Sequence, residues 1–491
     1  MKRIVNALDE LKWGKRTCAV FVLSATTVIA LPAQTLTTLF TFDGTDGAGS
    51  SGLVQGRDGN FYGTAAVGGT NPGHGIWGGT VFKISPSGTL TTLHNFCSQT
   101  DCADGQSPDN GLVQAANGDF YGTTQYGGAS PDGSLSGTVF KITPGGKLTT
   151  IYSFCAQSGC ADGAAPVAGL IQGSDGNFYG TTYQGGNPSC EYGCGTVFRI
   201  TPAGALTTLY SFCAEAGCPD GEIPEAGLFE ATDGTYYGAT YAGGNTQCPR
   251  GCGTVFKITS SGTLTTLYTF CSQTGCTDGA HPAAGLVEGT DGNFYGTTWY
   301  GGSGNAGTIF KLTPAGALTT LHRFLCQDQC PDGSDPGAPL IQATDGNFYG
   351  TSYYGGANGL GTIFRITSSG KLTTLYSFSG DQEFPYGALL QATDGDFYGA
   401  AGETIFSMSE GLRPFVKTQP HFGAAGAAIT ILGTDLTGST SVTFNGTPAA
   451  FTIVSATEIT TTVPAGATSG EVQVTTPGGT LASGGPFLVA P

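Results

Sequence analysis

Five aspartates recur in one setting, Asp-Gly-x-x-Pro: Asp104, Asp162, Asp220, Asp278 and Asp332. One carboxylate per repeat, delivered to a common rim, is hard-oxygen chemistry suited to Ca2+, which takes about six to eight oxygen ligands. The same residue at a turn also accepts backbone N–H bonds and caps that turn. Asp43 and Asp381 fall at the corresponding places of the first and last copies. Ca2+ is the sole cofactor these residues bring into question.

A second series is aromatic: Tyr126, Tyr183, Tyr241, Trp299, Tyr300, Tyr353 and Tyr354, each one or two residues before a Gly-Gly pair. Flat rings beside Gly-rich loops can stack on sugar faces, and they can equally be wedges between packed elements. They are the candidate ligand-binding residues.

Fourteen cysteines form seven close pairs: Cys97/Cys102, Cys155/Cys160, Cys190/Cys194, Cys213/Cys218, Cys248/Cys252, Cys271/Cys276 and Cys326/Cys330. An even number in local pairs fits disulfides made in an oxidising compartment. Zinc is the rival, but no histidines accompany the pairs at finger-like spacing. Each loop is so short that closing it stabilises by roughly 2 kcal/mol at most. The pairs are expected to stiffen loops rather than to hold the fold together.

Signatures of catalysis are thin. The five histidines share no spacing, and there is no GxSxG, HExxH or phosphate loop. His94 and His322 stand where other copies have Tyr. A glycosidase needs only two carboxylates, such as Glu191 and Glu222, whose separation in space is not readable from sequence. The expectation is no catalytic residue.

These residues sit in a strongly periodic frame. DGNFYGT or a close variant occurs seven times from residue 58 to 400, at steps of 49 to 59 residues. GTVFKI-like phrases occur seven times, and so do LTTL-like phrases. Each unit reads as four strands joined by Asp-Gly and Pro-x-Gly turns, as in GLIQGS, NFYGTTY, GTVFRI and ALTTLYSF of the third. Four antiparallel strands at a period near 50 match a propeller blade.

The first LTTL lies at residue 36, with no unit before it, and the last unit lacks one. Pairing the N-terminal strand into the last unit would hide two open strand edges. The expected fold is all-β: a seven-bladed β-propeller over 35–411, closed by the N-terminal strand, then an immunoglobulin-like β-sandwich. The long loops fall on one face, together with the cysteine pairs and the aromatics. The loops after the second strand are longest in units 1 to 4, which leans a site toward those units.

The phrases resemble the bacterial GloVer tandem repeat of exported proteins, over nearly the whole chain to about residue 411. That resemblance implies an exported β-repeat protein and carries no assigned reaction. Residues 414–491, with Gly433, Phe444, Gly446, Pro464, Gly470, Val474, Gly478 and Gly479, are similar to IPT/TIG domains. That implies an immunoglobulin-like module, often a spacer.

Residues 1–33 read as a signal peptide: a basic region with Lys2, Arg3, Lys12, Lys15 and Arg16, then an apolar run from Thr17 to Leu31. The run is shorter than the roughly 20 residues a membrane span needs. The net charge is −17, so phosphate backbones are repelled and nucleic acid is not an expected partner. The functional expectation is a secreted or cell-surface, non-catalytic interaction protein, with glycan or another surface protein as partner. The alternatives are a secreted glycosidase or polysaccharide lyase, and a purely structural envelope protein.

Overall fold

The structure, a computed structural model, describes residues 35–71, 78–129, 136–190, 193–326, 330–380 and 382–490. Among them, the repeat region forms seven four-stranded antiparallel sheets. The third sheet is typical: Ile171–Gln172, Phe178–Thr182, Thr196–Ile200 and Leu206–Ser211, in sequence order. The DGN phrase makes its first hairpin. Asp175 accepts the Asn177 N–H at 3.0 Å and the Tyr179 hydroxyl at 2.9 Å, while Gly176 takes φ +79°.

The seventh sheet contains Leu390–Gln391, Phe397–Ala401, Thr404–Met408 and, as its fourth strand, Leu36–Thr41. Leu36 pairs with Met408 and Thr41 with Thr404, antiparallel, across a bulge between Thr38 and Phe40. The displaced LTTL strand therefore fills the edge that the last unit leaves open.

Adjacent sheets meet through the Phe-Tyr dipeptides, whose two rings point to opposite faces of their strand. Tyr62 lies 4.1 Å from Phe120, Tyr121 4.0 Å from Phe178, and Tyr179 4.0 Å from Tyr236, centroid to centroid. Tyr237 lies 4.3 Å from Phe294, Tyr295 3.9 Å from Phe348, and Tyr349 4.4 Å from Phe397. Tyr398 of the seventh sheet meets Phe61 of the first at 4.1 Å. Phe42, at the end of the N-terminal strand, packs on Phe82 of the first sheet at 5.4 Å. These rings explain why the second strands are buried along their whole length in sheets 2 to 7.

A polar latch repeats the pattern at the end of each first strand. Gln172 accepts the Ala116 N–H, Glu230 the Ser174 N–H, Glu288 the Thr232 N–H, Gln342 the Thr290 N–H and Gln391 the Thr344 N–H. Gln55 takes the Thr393 N–H of the seventh sheet. Between the first two sheets Arg57 substitutes, donating to the Ala115 and Ala116 carbonyls at 3.4 and 2.9 Å.

After the repeats, two four-stranded sheets enclose a separate core of Val416, Ile431, Val442, Phe444, Ile459, Val474 and Phe487. This sandwich docks on the side of the DGN turns. Phe415 N–H donates to the Thr393 carbonyl at 2.9 Å, Thr457 Oγ1 to the Arg57 carbonyl at 2.7 Å, and Lys417 Nζ to the Gln391 carbonyl at 2.5 Å. No helix among the described residues is long and apolar enough to cross a membrane.

Candidate functional site

A cavity of about 630 Å3 lies where short segments from all seven repeats converge. Gly52 and Leu53 of repeat 1 lie within the strand Ala48–Gln55, whereas in repeats 2 to 7 each segment precedes the first strand of its sheet. In repeats 2 to 7 it runs Pro-x-x-Gly-Leu or a near variant, and the residue after Pro is Asp109, Val167, Glu225, Ala283, Gly337 or Tyr386. All of these line the cavity, as do Gln125, Tyr183 and Trp299 from the ends of second strands.

The residue before each Pro fixes this segment. Ser107, Ala165, Ile223, His281, Asp335 and Phe384 all take left-handed φ between 50° and 61°. A non-glycine residue there costs about 1–2 kcal/mol, so the surroundings must impose it. Ala165 shows how: its N–H donates to the Ser136 carbonyl of the second sheet at 2.7 Å, and its carbonyl accepts the Tyr183 N–H of the third at 3.0 Å. The same clamp runs from Cys252 through His281 to Trp299, with bonds of 2.8 and 3.0 Å. Beneath the Pro, the GT glycine is obligatory. A Cβ on Gly195 would lie 2.4 Å from Pro224 Cδ and from the Thr182 carbonyl. The two aromatic walls are thus held by inter-sheet backbone bonds.

Two acids share the wall. Burial pushes the Asp109 carboxyl up to about 6 and the Glu225 carboxyl up to about 7. Neither carboxylate has a hydrogen bond or ion pair to a described side chain, and no Lys, Arg or His lines the cavity among the described residues. Tyr386, half-exposed to the cavity, has its hydroxyl raised by burial and by the charges of Asp109 and Glu225. Glu225 also bears on Tyr183 and Tyr241, whose hydroxyls burial raises. Arg250, which acts on Tyr183 from outside the wall, is bonded to Glu222.

Of the seven aromatics expected at a binding face, Tyr183 and Trp299 reach the wall. Tyr241 and Tyr353 hold the same position in repeats 4 and 6 but pack against His281 and Phe384, at 4.5 and 5.1 Å. Tyr126, Tyr300 and Tyr354 come one residue later. Each bridges to its own loop at Gln106, Ala280 or Ser334, and its side chain faces out, 36 to 45% exposed. The wall takes a segment from every repeat, with acids from repeats 2 and 4 and rings from 3, 5 and 7, so it does not follow the longer loops of repeats 1 to 4.

The Asp-Gly-x-x-Pro carboxylates do not converge. Asp162 accepts the Tyr152 hydroxyl at 2.7 Å and the Ala156 and Gln157 N–H groups at 3.0 and 3.1 Å. Asp278 repeats this with Tyr268, Ser272 and Gln273, and Asp220 with Tyr210 and Ala214. Asp104 and Asp332 take His94 and His322 at 3.0 and 2.8 Å, the two histidines that stand in for Tyr. Each carboxylate is held locally, by its own turn or by the Tyr or His of the preceding strand, and no three of them cluster among the described residues, so the rim of Ca2+ ligands does not form. Asp381 and Glu191 lie outside the described residues.

All seven cysteine pairs are disulfides: Cys97–Cys102, Cys155–Cys160, Cys190–Cys194, Cys213–Cys218, Cys248–Cys252, Cys271–Cys276 and Cys326–Cys330. None of these cysteines lines the cavity. Beside the bridges, the backbone carbonyls of Cys160, Cys194 and Cys330 join one repeat to the next. The Cys160 carbonyl, at the end of repeat 2, accepts the Gly163 N–H and the Gly186 N–H of repeat 3, both at 2.9 Å. The Cys330 carbonyl, at the end of repeat 5, accepts the Gly333 N–H at 2.9 Å and the Gly356 N–H of repeat 6 at 2.8 Å. Cys194 is fully buried, and its carbonyl takes the Ile223 N–H that enters repeat 4, at 3.0 Å. The physical reason is position: Cys160 and Cys330 sit where one sheet hands the chain to the next, and Cys194 sits just before Thr196–Ile200, where the entry segment of repeat 4 passes.

In repeat 4 the sulfurs of Cys248, Cys252, Cys271 and Cys276 all lie within 4.8 Å of one another, and Cys190, Cys213 and Cys218 cluster likewise in repeat 3. A thiophilic ion would need thiolates, which these bonded sulfurs do not offer. The paired disulfides instead brace the two loops against each other.

Sequence reasoning missed Asp109, Glu225 and Tyr386. Their common signal is the variable residue after a recurring Pro.

Comparison with known proteins agrees with this architecture. The Gloeobacter/Verrucomicrobia repeat matches residues 24–249 and 245–447, and the IPT/TIG domain matches residues 416–489. A fungal alcohol oxidase of the AA5 family, in complex with copper, is 12% identical with a TM-score of 0.51, covering 94% of this chain and 100% of its own. The extracellular domain of a hybrid two component system from B. thetaiotaomicron is 11% identical with a TM-score of 0.49, covering 88% of this chain and 50% of its own. At such identities the likeness is one of fold. No curated protein matches the chain.

Proposed function

Because the chain belongs to the Gloeobacter/Verrucomicrobia repeat family, we propose that its seven repeat sheets are the blades of one closed propeller whose axial cavity binds a saccharide without chemistry. In this reading residues 1–33 direct export, 35–411 form the ring, 414–491 form an immunoglobulin-like module, and the protein works outside the cytoplasm or on the cell surface. Contacts of Tyr398 with Phe61 and of Leu36–Thr41 with Thr404–Met408 support closure.

The observation that carries the binding reading is the cavity itself. It is about 630 Å3, built from all seven repeats, walled by Tyr183, Trp299 and Tyr386, and supplied with polar groups by Asp109, Asn110, Gln125 and Glu225. Aromatic faces with a few convergent polar groups make a small-ligand site, and flat rings suit the C–H faces of sugars. Calorimetric titration with oligosaccharides tests it: binding is expected in the wild type and weakened about tenfold in Trp299→Ala. Absence of binding across a broad glycan panel would count against it.

A second reading is an acid–base enzyme acting on a polysaccharide, favoured by the two raised carboxyls in one cavity. Turnover abolished by Glu225→Gln would select it, whereas binding without turnover selects the first.

A further inference from the structure

The axial cavity combines three features that arise from different parts of the chain. Aromatic rings come from the second strand of repeats 3 and 5 (Tyr183, Trp299) and the entry segment of repeat 7 (Tyr386). Carboxylates come from equivalent entry positions of repeats 2 and 4 (Asp109, Glu225). The described lining holds no basic side chain.

We propose that the ligand of this cavity is cationic: a saccharide bearing a protonated amine, with the ammonium seated between the rings and the two carboxylates. This deepens the binding reading above and rests on it. A ring face attracts a cation through its quadrupole, most strongly for Trp, and carboxylates add charge and hydrogen-bond acceptors. A neutral sugar would satisfy the rings but leave two half-buried carboxyl groups without a counter-charge. An anionic sugar would meet both carboxylates head on. The chain's net charge of −17 draws cations toward the mouth as well. The nearby basic groups do not supply the missing charge: Arg250 is bonded to Glu222, and His281 Nδ1–H donates to the Tyr241 carbonyl, 2.9 Å away, with its basicity lowered by burial.

The discriminating experiment uses the full chain and one sugar backbone in two forms: an oligoglucosamine and its N-acetylated counterpart of equal length, at a pH where the free amines are protonated. Calorimetry should give the amine form at least about tenfold tighter binding, the span expected of one desolvated cation–π contact plus a charge pair. The preference should collapse toward equality in the Asp109→Asn, Glu225→Gln double variant, whose folding is checked by its circular dichroism. Equal binding of the two forms, or tighter binding of the acetylated one, overturns the inference. If the acetylated form binds and needs Trp299, the saccharide reading survives that result. If neither form nor any neutral glycan binds, both readings fall.

Discussion

Gln55 and Thr393 bond each other twice across 338 residues of chain. Gln55 Nε2 donates to Thr393 Oγ1 at 3.0 Å, and the Thr393 N–H donates to Gln55 Oε1 at 3.0 Å. Both residues are buried. Gln55→Ala leaves a buried backbone N–H unpaired at the seam between the first and last sheets. The expected loss is about 1–3 kcal/mol of unfolding free energy, measured by denaturant titration. Loss within error of an exposed control such as Ser87→Ala would mean the seam carries no strain of closure.

Trp299→Ala and Tyr183→Ala should weaken saccharide binding about tenfold each, a typical cost of removing one aromatic anchor. Tyr126→Ala should leave it unchanged, because that ring faces solvent away from the wall. Calorimetric titration of the three variants separates wall from rim. Equal losses in all three would point to the outer loops as the site.

The contrast between those residues marks what the sequence could and could not convey. The stranded LTTL at residue 36 was legible because a repeat missing its last strand names the segment that must complete it. The Phe-Tyr pairs were legible as core because they recur in every unit. Asp109, Glu225 and Tyr386 were not, since they occupy a position whose residue type changes from unit to unit. Comparing repeats treats such variation as noise, although seven copies that line one cavity turn it into a composite wall. Of the seven aromatics, Tyr126, Tyr300 and Tyr354 stand one residue beyond the wall position and face solvent, a distinction that closeness to a Gly-Gly pair does not make.

Glu225 gives a pH signature of stability. Its folded pKa of about 7 lies above the ordinary 4.5, with burial as the cause. Between those values the folded chain binds the extra proton. Glu225 therefore costs no stability at low pH, destabilises progressively as pH rises through that window, and destabilises fully above it. Glu225→Gln should raise the melting temperature at a pH near 8 and leave it unchanged near 4. A uniform shift at both would show that packing, not charge burial, is responsible.

Lys417 works in the opposite direction. Half-buried at the junction with the C-terminal sandwich, it has its ammonium pushed down to about 8 from 10.5 by desolvation, with Asp394 opposing the shift. The unfolded chain then holds more protons between about 8 and 10, so stability rises with pH across that window. Lys417→Met should flatten the rise, as read from thermal melts over the same range. A wild-type profile that falls there contradicts the assignment.

The seven disulfides close loops with sequence separations of 4 or 5. Each therefore stabilises by about 2 kcal/mol at most. Cys97→Ser, Cys102→Ser should keep the far-ultraviolet dichroism of the sheets while lowering the melting temperature by a few degrees. Collapse of the sheet signal would mean that the loops organise the ring.

The most direct test of the central claim is a crystal structure of the full chain soaked with oligosaccharides, amine-bearing and acetylated. The account predicts sugar density at the axis, with a ring stacked on Trp299 or Tyr183 and an amine within reach of Glu225 or Asp109. Density confined to the outer loops around Tyr126, Tyr300 and Tyr354, or an axis without ligand while the same sugar binds in solution, would contradict it.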